Sequence, residues 1–165
     1  MKKNLFIILP VIILSLAACA QSKKTSVKTS PKQPDFEQVL MRRTPCYGKC
    51  PVYHIELFKD GTLRYSGIRF IKDSGVYEKN IGAANAEKIL DEFRKYRVDT
   101  CADYYELPIA DLPGIYYSYT VNGEEHKISN AHFGPIFLKE LAQKLDEIGY
   151  KDIDHSQWKK LTPEK

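Results

Sequence analysis

The chain lacks every short motif that announces a common catalytic centre. Gly-x-Ser-x-Gly, His-Glu-x-x-His, the phosphate-binding P-loop and the dinucleotide fingerprint are all missing. No Ser/His/Asp set stands out by spacing, and no internal repeat occurs. No apolar run is long enough for a permanent membrane-spanning helix. Positive charge is also missing where a nucleic-acid binder needs it. Of 25 Lys and Arg, six precede Asp35, whereas all 21 Asp and Glu lie from Asp35 onward. The remaining 19 cations leave that region near −2, although the whole chain carries +4. A nucleic-acid partner is therefore not expected, because such a binder concentrates its cations on its folded domain.

What is present begins with a leader. Lys2 and Lys3 precede an almost unbroken apolar run from Leu5 to Leu16, and Ala17-Ala18-Cys19 follows. That order is the order of an export signal. Leu16-Ala17-Ala18-Cys19 resembles the lipobox of bacterial lipoproteins. The resemblance implies that the Cys19 thiol takes a diacylglycerol and becomes the mature N-terminus. Residues 1–19 are thus expected to be a lipoprotein signal peptide, with the lipid membrane as partner through acylated Cys19. Each buried methylene contributes about 0.8 kcal/mol, so several acyl chains hold a protein almost permanently. Ala20 stands where an aspartate would resemble an inner-membrane retention signal, which favours the outer membrane, on its periplasmic or surface face. Residues 20–34 are polar and carry Lys23, Lys24, Lys28 and Lys32 with no acid, the composition of a flexible basic tether.

Residues 35–155 have the length of one domain. Phe36 to Thr44 reads as a strand with Val39 and Met41 on one face. Val52 to Phe58 alternates Tyr53, Ile55 and Leu57 against His54, Glu56 and Phe58. Asp60-Gly61 is a two-residue hairpin signal that calls for positive φ at both positions. Thr62 to Ser66 returns, Gly67 marks a bulge or bend, Ile68 to Lys72 continues, and Asp73-Ser74-Gly75 turns into Val76 to Ile81. A helix is expected from Gly82 to about Tyr96, with Ala86, Ile89, Leu90 and Phe93 as its apolar stripe. Val98 to Pro113 is irregular. Ile115 to Val121 and Glu125 to Asn130 form a hairpin around Asn122-Gly123. Gly134-Pro135 starts a second helix striped by Phe137, Leu138, Leu141, Leu145 and Ile148, and Gly149 ends it. Residues 156–165 read as a polar tail anchored by Trp158. The expected class is α+β, an antiparallel sheet (a meander of four or five strands, then a hairpin) with both helices on one face.

Three cysteines remain beyond Cys19. In an exported protein a near pair defaults to a disulfide, and Gly48 lets Cys46-x-x-x-Cys50 fold back on itself. Such a bond fixes the shape of a turn and requires no cofactor. The alternative is a thiol-redox or copper site. Cys46-x-x-x-Cys50-Pro51 is similar to the copper motif of thioredoxin-like copper chaperones, with His132 or His54 as a further ligand, since thiolates and imidazole suit copper. In that family the second cysteine opens a helix, which lowers the thiol pKa; here it opens a strand-patterned run. Cys101 is left as a buried thiol, a partner to Cys46 or Cys50, or a route to a covalent dimer.

Thr44-Pro-Cys-Tyr-Gly-Lys-Cys-Pro-Val-Tyr53, then Asp60-Gly61-Thr62, Tyr65-Ser-Gly67 and Asp111-Leu112-Pro113, resembles an uncharacterised bacterial domain family. Its members share a T-x-C-x-G-x-C-P-x-Y opening and later D-G and D-L-P motifs, and are often predicted lipoproteins. The similarity runs from about Val39 to Ile148. An H-Y-x-G-A-P-like stretch of that family is matched in part by His132-Phe133-Gly134-Pro135. The resemblance implies domain identity and location, and no activity. Asp111 reads as a turn former or a catalytic acid, and His132 as a cap or a ligand. Tyr104-Tyr105 and Tyr116-Tyr117 either line a groove for glycan or peptide or pack on the sheet. The expected role is a non-enzymatic binding or structural module of the cell envelope, facing an envelope protein or cell-wall glycan. An inhibitor or chaperone of an envelope enzyme is a further reading.

Overall fold

Period-two alternation builds most of the domain. The computed structural model describes residues 33–106 and 111–162; the expectations for the signal peptide, for acylation at Cys19 and for the tether as far as Lys32 lie outside them. β1 (Phe36–Arg43), β2 (Val52–Phe58), β3 (Thr62–Arg69) and β4 (Gly75–Asn80) form the meander. Then come α1 (Ala83–Lys95), β5 (Ile115–Val121), β6 (Glu124–Ile128), α2 (Ile136–Gly149) and β7 (Lys159–Leu161). All seven strands pair antiparallel in the order β6-β5-β1-β2-β3-β4-β7. This is the α+β class that the residue pattern predicts.

Both helices cover one face. Val39, Met41, Ile55, Leu57, Leu63, Tyr65 and Tyr117 point into it and are buried. α1 packs on β1, and α2 on β2 and β3, through Ala86, Leu90 and Phe93 on one helix and Leu138, Leu141 and Leu145 on the other. Phe36 would face away from Val39 and Met41 by strict alternation. A bulge against β5 between Phe36 and Gln38 resets the parity. The Phe36 ring thereby reaches Phe93 and Tyr119, with centroids 5.9 and 5.5 Å away. On the uncovered face Arg64 bridges Glu56 at 2.8 Å and Glu78 at 3.0 Å, tying β2, β3 and β4 together.

Four local expectations need correction. Asp60-Gly61 is not a two-residue turn with positive φ at both positions: only Gly61 has it, at +94°, and its N–H donates to Phe58 O at 3.0 Å. The connection is a longer loop closed by a left-handed glycine. A Cβ at Gly61 would lie 2.4 Å from the Gly82 carbonyl carbon, at the start of α1, so close packing as well as the turn demands glycine. By contrast Asn122-Gly123 adopts positive φ at both residues, 51° and 81°, as its dipeptide predicts. β3 does not continue to Lys72; Val52 pairs with Arg69 and Tyr53 with Gly67, so Ile68 is the bulged residue and the chain bends over Phe70–Asp73. Pro135 caps α2 instead of opening it. Lastly, the polar tail contributes β7, whose Val76↔Leu161 and Glu78↔Lys159 pairs cover the β4 edge. An edge strand's unpaired N–H and C=O groups accept a partner whatever its side chains are.

Candidate functional site

One end of the sheet gathers the connections that carry the sequence motifs. β1, β3 and β6 finish there, and β2, β4 and β5 begin there. Cys46 and Cys50 are joined by a disulfide with Cα atoms 5.7 Å apart, closing the turn between β1 and β2. Two neighbours hold that turn against the approach to β5. The Thr44 N–H donates to Gly114 O at 3.2 Å and Thr44 Oγ1 accepts from the Gly114 N–H at 2.8 Å. The Tyr47 N–H donates to Asp111 O at 3.3 Å. Asp111 has a φ of 67°, so its part here is backbone shape: it is a turn residue whose carbonyl meets the cysteine loop.

Beneath the turn lies a carboxylate with two donors. Asp146, near the end of α2, accepts from the Tyr53 hydroxyl at 2.6 Å and pairs with the Arg43 guanidinium. Burial first, and then the bond to Asp146, push the Tyr53 phenol far above the ordinary tyrosine range. A phenol held protonated against a carboxylate that is already ion-paired braces β1 and β2 to α2. The Tyr53 ring stacks on Tyr150 with centroids 4.0 Å apart. A cavity of about 230 Å³ opens beside this group, lined by Arg43, Cys50, Pro51, Tyr53 and Pro113. His132 Nδ1 accepts from the N–H of Ile115, the β5 partner of Arg43, at 3.4 Å. Burial, then Lys139 and Arg43, lower its pKa, which favours neutral imidazole.

Residues 37–149, which run from within β1 to the end of α2 and include this end of the sheet, match the family model for a domain of unknown function, DUF6438. The chain belongs to that family. No curated protein matches it.

Within the DUF6438 domain the sequence candidates separate. Cys46 and Cys50 are bonded to each other, and His132 turns one nitrogen to the β5 backbone. No group of three His, Cys, Asp or Glu side chains able to hold a metal occurs among the described residues, so the Cys46–Cys50–His132 trio is not assembled. His54 lies on β2 opposite Arg42 and Ser66. Cys101 is free and half-buried, and burial raises its thiol pKa against the opposing effect of the Tyr105 hydrogen bond; it partners neither Cys46 nor Cys50. The tyrosine pairs split. The Tyr117 hydroxyl donates to Leu138 O in the core, whereas Tyr116, its neighbour along the strand, bonds Asn130 Oδ1.

Sequence reasoning missed two features. The first is the Arg43–Tyr53–Asp146 group, whose members come from three elements. The second lies just beyond the family match, where His155 is buried against Tyr65, with ring centroids 3.9 Å apart. Its Nε2 bonds Gly149 O and its Nδ1 bonds Asp73, each at 2.9 Å. The dyad borders a hollow of about 540 Å³ with Lys72, Tyr150 and Asp152. Because a carbonyl only accepts, Nε2 carries a proton directed at Gly149 and has nothing to offer a substrate. This dyad docks the C-terminal segment.

Exposure singles out the disulfide end. The large hydrophobic residues exposed among the described residues are Tyr47, Ile68, Phe70, Tyr104, Leu112 and Ile136. Each sits in or beside a connection at that end. The turns at the other end, around Gly61, Gly82 and Gly123, carry none.

Proposed function

We propose that this chain is an exported lipoprotein, held at the membrane by acylated Cys19, whose DUF6438 domain binds a component of the cell envelope without catalysing a reaction. The gathering of exposed apolar side chains at the disulfide end carries the reading. Single exposed hydrophobics are ordinary on a protein surface, but a set collected at one end marks a contact surface. The disulfide, the Thr44–Gly114 pair and the Arg43–Tyr53–Asp146 group make that end rigid, which lowers the ordering cost of binding. The signal-like leader and the small residues before Cys19 support the anchor. Ala20 supports sorting to the outer membrane.

A photo-crosslinking phenylalanine analogue at position 47 of the full chain in native membranes tests the contact. Adducts from position 47, and none from a control probe at Asn122, are expected. Equal yields from both ends would remove the contact surface. Release of Cys19→Ser from the membrane fraction checks the anchor separately. Stoichiometric Cu(I) uptake, abolished by Cys46→Ser and Cys50→Ser, would put the copper reading in place of this one.

A further inference from the structure

We infer that the loops between β1 and β2 and between β3 and β4 dock directly on an anionic lipid surface, as a second membrane contact besides the acyl chains. The inference rests on the disulfide end being the contact face and names its partner. β2 and β3 are hydrogen-bonded neighbours, and the Val52↔Arg69 pair sets these two loops side by side. Their apolar members stand out into solvent: Tyr47 is 91 % exposed, Ile68 53 % and Phe70 46 %. Interleaved with them are Lys49, Arg69 and Lys72. Among the described residues none of the three forms a salt bridge; Arg69 lies over the Phe70 ring at 4.9 Å, and Lys72 acts on Asp154 through space. The one carboxylate in the two loops, Asp73, is engaged by His155 at 2.9 Å. The two loops themselves are therefore cationic and apolar on a domain that is slightly anionic as a whole, with Asp152 and Asp154 lining the hollow beside Lys72 and the Asp111 carbonyl meeting Tyr47.

An anionic bilayer offers a negative layer above an apolar one in a single partner. Ile68 and Phe70 can enter the acyl boundary while the ammonium and guanidinium heads stay among the phosphates. An acidic protein surface would pair the cations but leave the apolar tips against charge. Geometry permits the contact although β1 enters the sheet at the far end. The chain between Cys19 and Asp35 reaches at most about 55 Å when extended. That is roughly twice the length of the eight-residue β1 at about 3.3 Å per residue.

The test uses the acylated chain carrying Phe70→Trp, on vesicles of phosphatidylethanolamine with phosphatidylglycerol and on phosphatidylcholine alone. The emission of Trp158 is subtracted using the parent protein. On the anionic vesicles the new indole is expected to shift to the blue and to be quenched by brominated acyl chains; on phosphatidylcholine it stays aqueous. A Lys or Arg near an anionic surface strengthens partitioning about fivefold, so Lys49→Glu with Arg69→Glu and Lys72→Glu weakens docking at least about a hundredfold. Concentrated salt should return the indole to water without any charge substitution, since screening shortens the Debye length to about 3 Å at 1 M. Aqueous emission on both vesicles while the protein still floats with them would overturn lipid docking and leave the anchor standing. Failure to float would strike the anchor instead. Docking that ignores charge reversal would also sink the inference, as would a blue shift produced only by an added acidic protein.

Discussion

Asp146 is the residue on which the disulfide end depends. Its side chain and that of Arg43 are 16 % and 23 % exposed, so the pair is partly shielded and an unmatched partner is costly. Asp146→Ala strands both Arg43 and Tyr53 and is expected to lower stability by about 2 kcal/mol, against about 1 kcal/mol for Tyr53→Phe. Urea unfolding with an unchanged slope would read both; equal losses would show that Arg43 gains nothing from the carboxylate. Four tyrosines give a pH signature. Burial is the leading cause that lifts Tyr53, Tyr65, Tyr117 and Tyr119 well above the ordinary value of 10.0. Below that value the phenols are protonated in both states and contribute no pH dependence. Above it the unfolded chain releases protons that the fold retains, so stability falls as pH rises. Denaturation between about pH 9 and pH 11 checks the sign; a flat profile would mean these rings are open to water. That Tyr53 faces inward is legible from alternation in β2. That it bonds Asp146, 93 residues away, is not, because no local pattern links them.

Among the elements, the least legible in sequence is β7. Lys159-Lys160-Leu161 has no strand pattern, and its place depends on a free sheet edge and on His155 being held by Asp73 and Gly149. His155→Ala is expected to cost about 2 kcal/mol and to release β4 amides to hydrogen exchange while β1 and β2 stay protected. Uniform loss of protection would assign His155 to the global core instead. At the opposite end of the sheet, Gly61→Ala must both strain a left-handed residue and push on Gly82. A loss of about 2 kcal/mol or more is expected in thermal melts. The hairpin itself is legible from Asp60-Gly61, and both helices from their apolar stripes. The turn type depends on how closely α1 approaches, which the dipeptide does not encode.

For the whole molecule, the disulfide shapes the contact end without holding the sheet together. Closing so small a ring removes little unfolded-state entropy, about 2 kcal/mol. Reduction should therefore lower the melting temperature by several degrees and leave the far-ultraviolet spectrum folded; complete unfolding would show that the turn organises the core. The family match ends at residue 149, yet the sheet takes a further strand from residues 159–161, so the C-terminal segment is part of the fold. Alternation with a period of two and stripes at helical spacing are local, and they are enough to assign the α+β class, a meander of four or five strands followed by a hairpin, and two helices with their apolar stripes. Which strands become neighbours, why Phe36 breaks parity, and what Arg43, Tyr53 and Asp146 make together depend on contacts between residues far apart in the chain. Those contacts follow from the complementarity of assembled surfaces, which no stretch of residues carries alone.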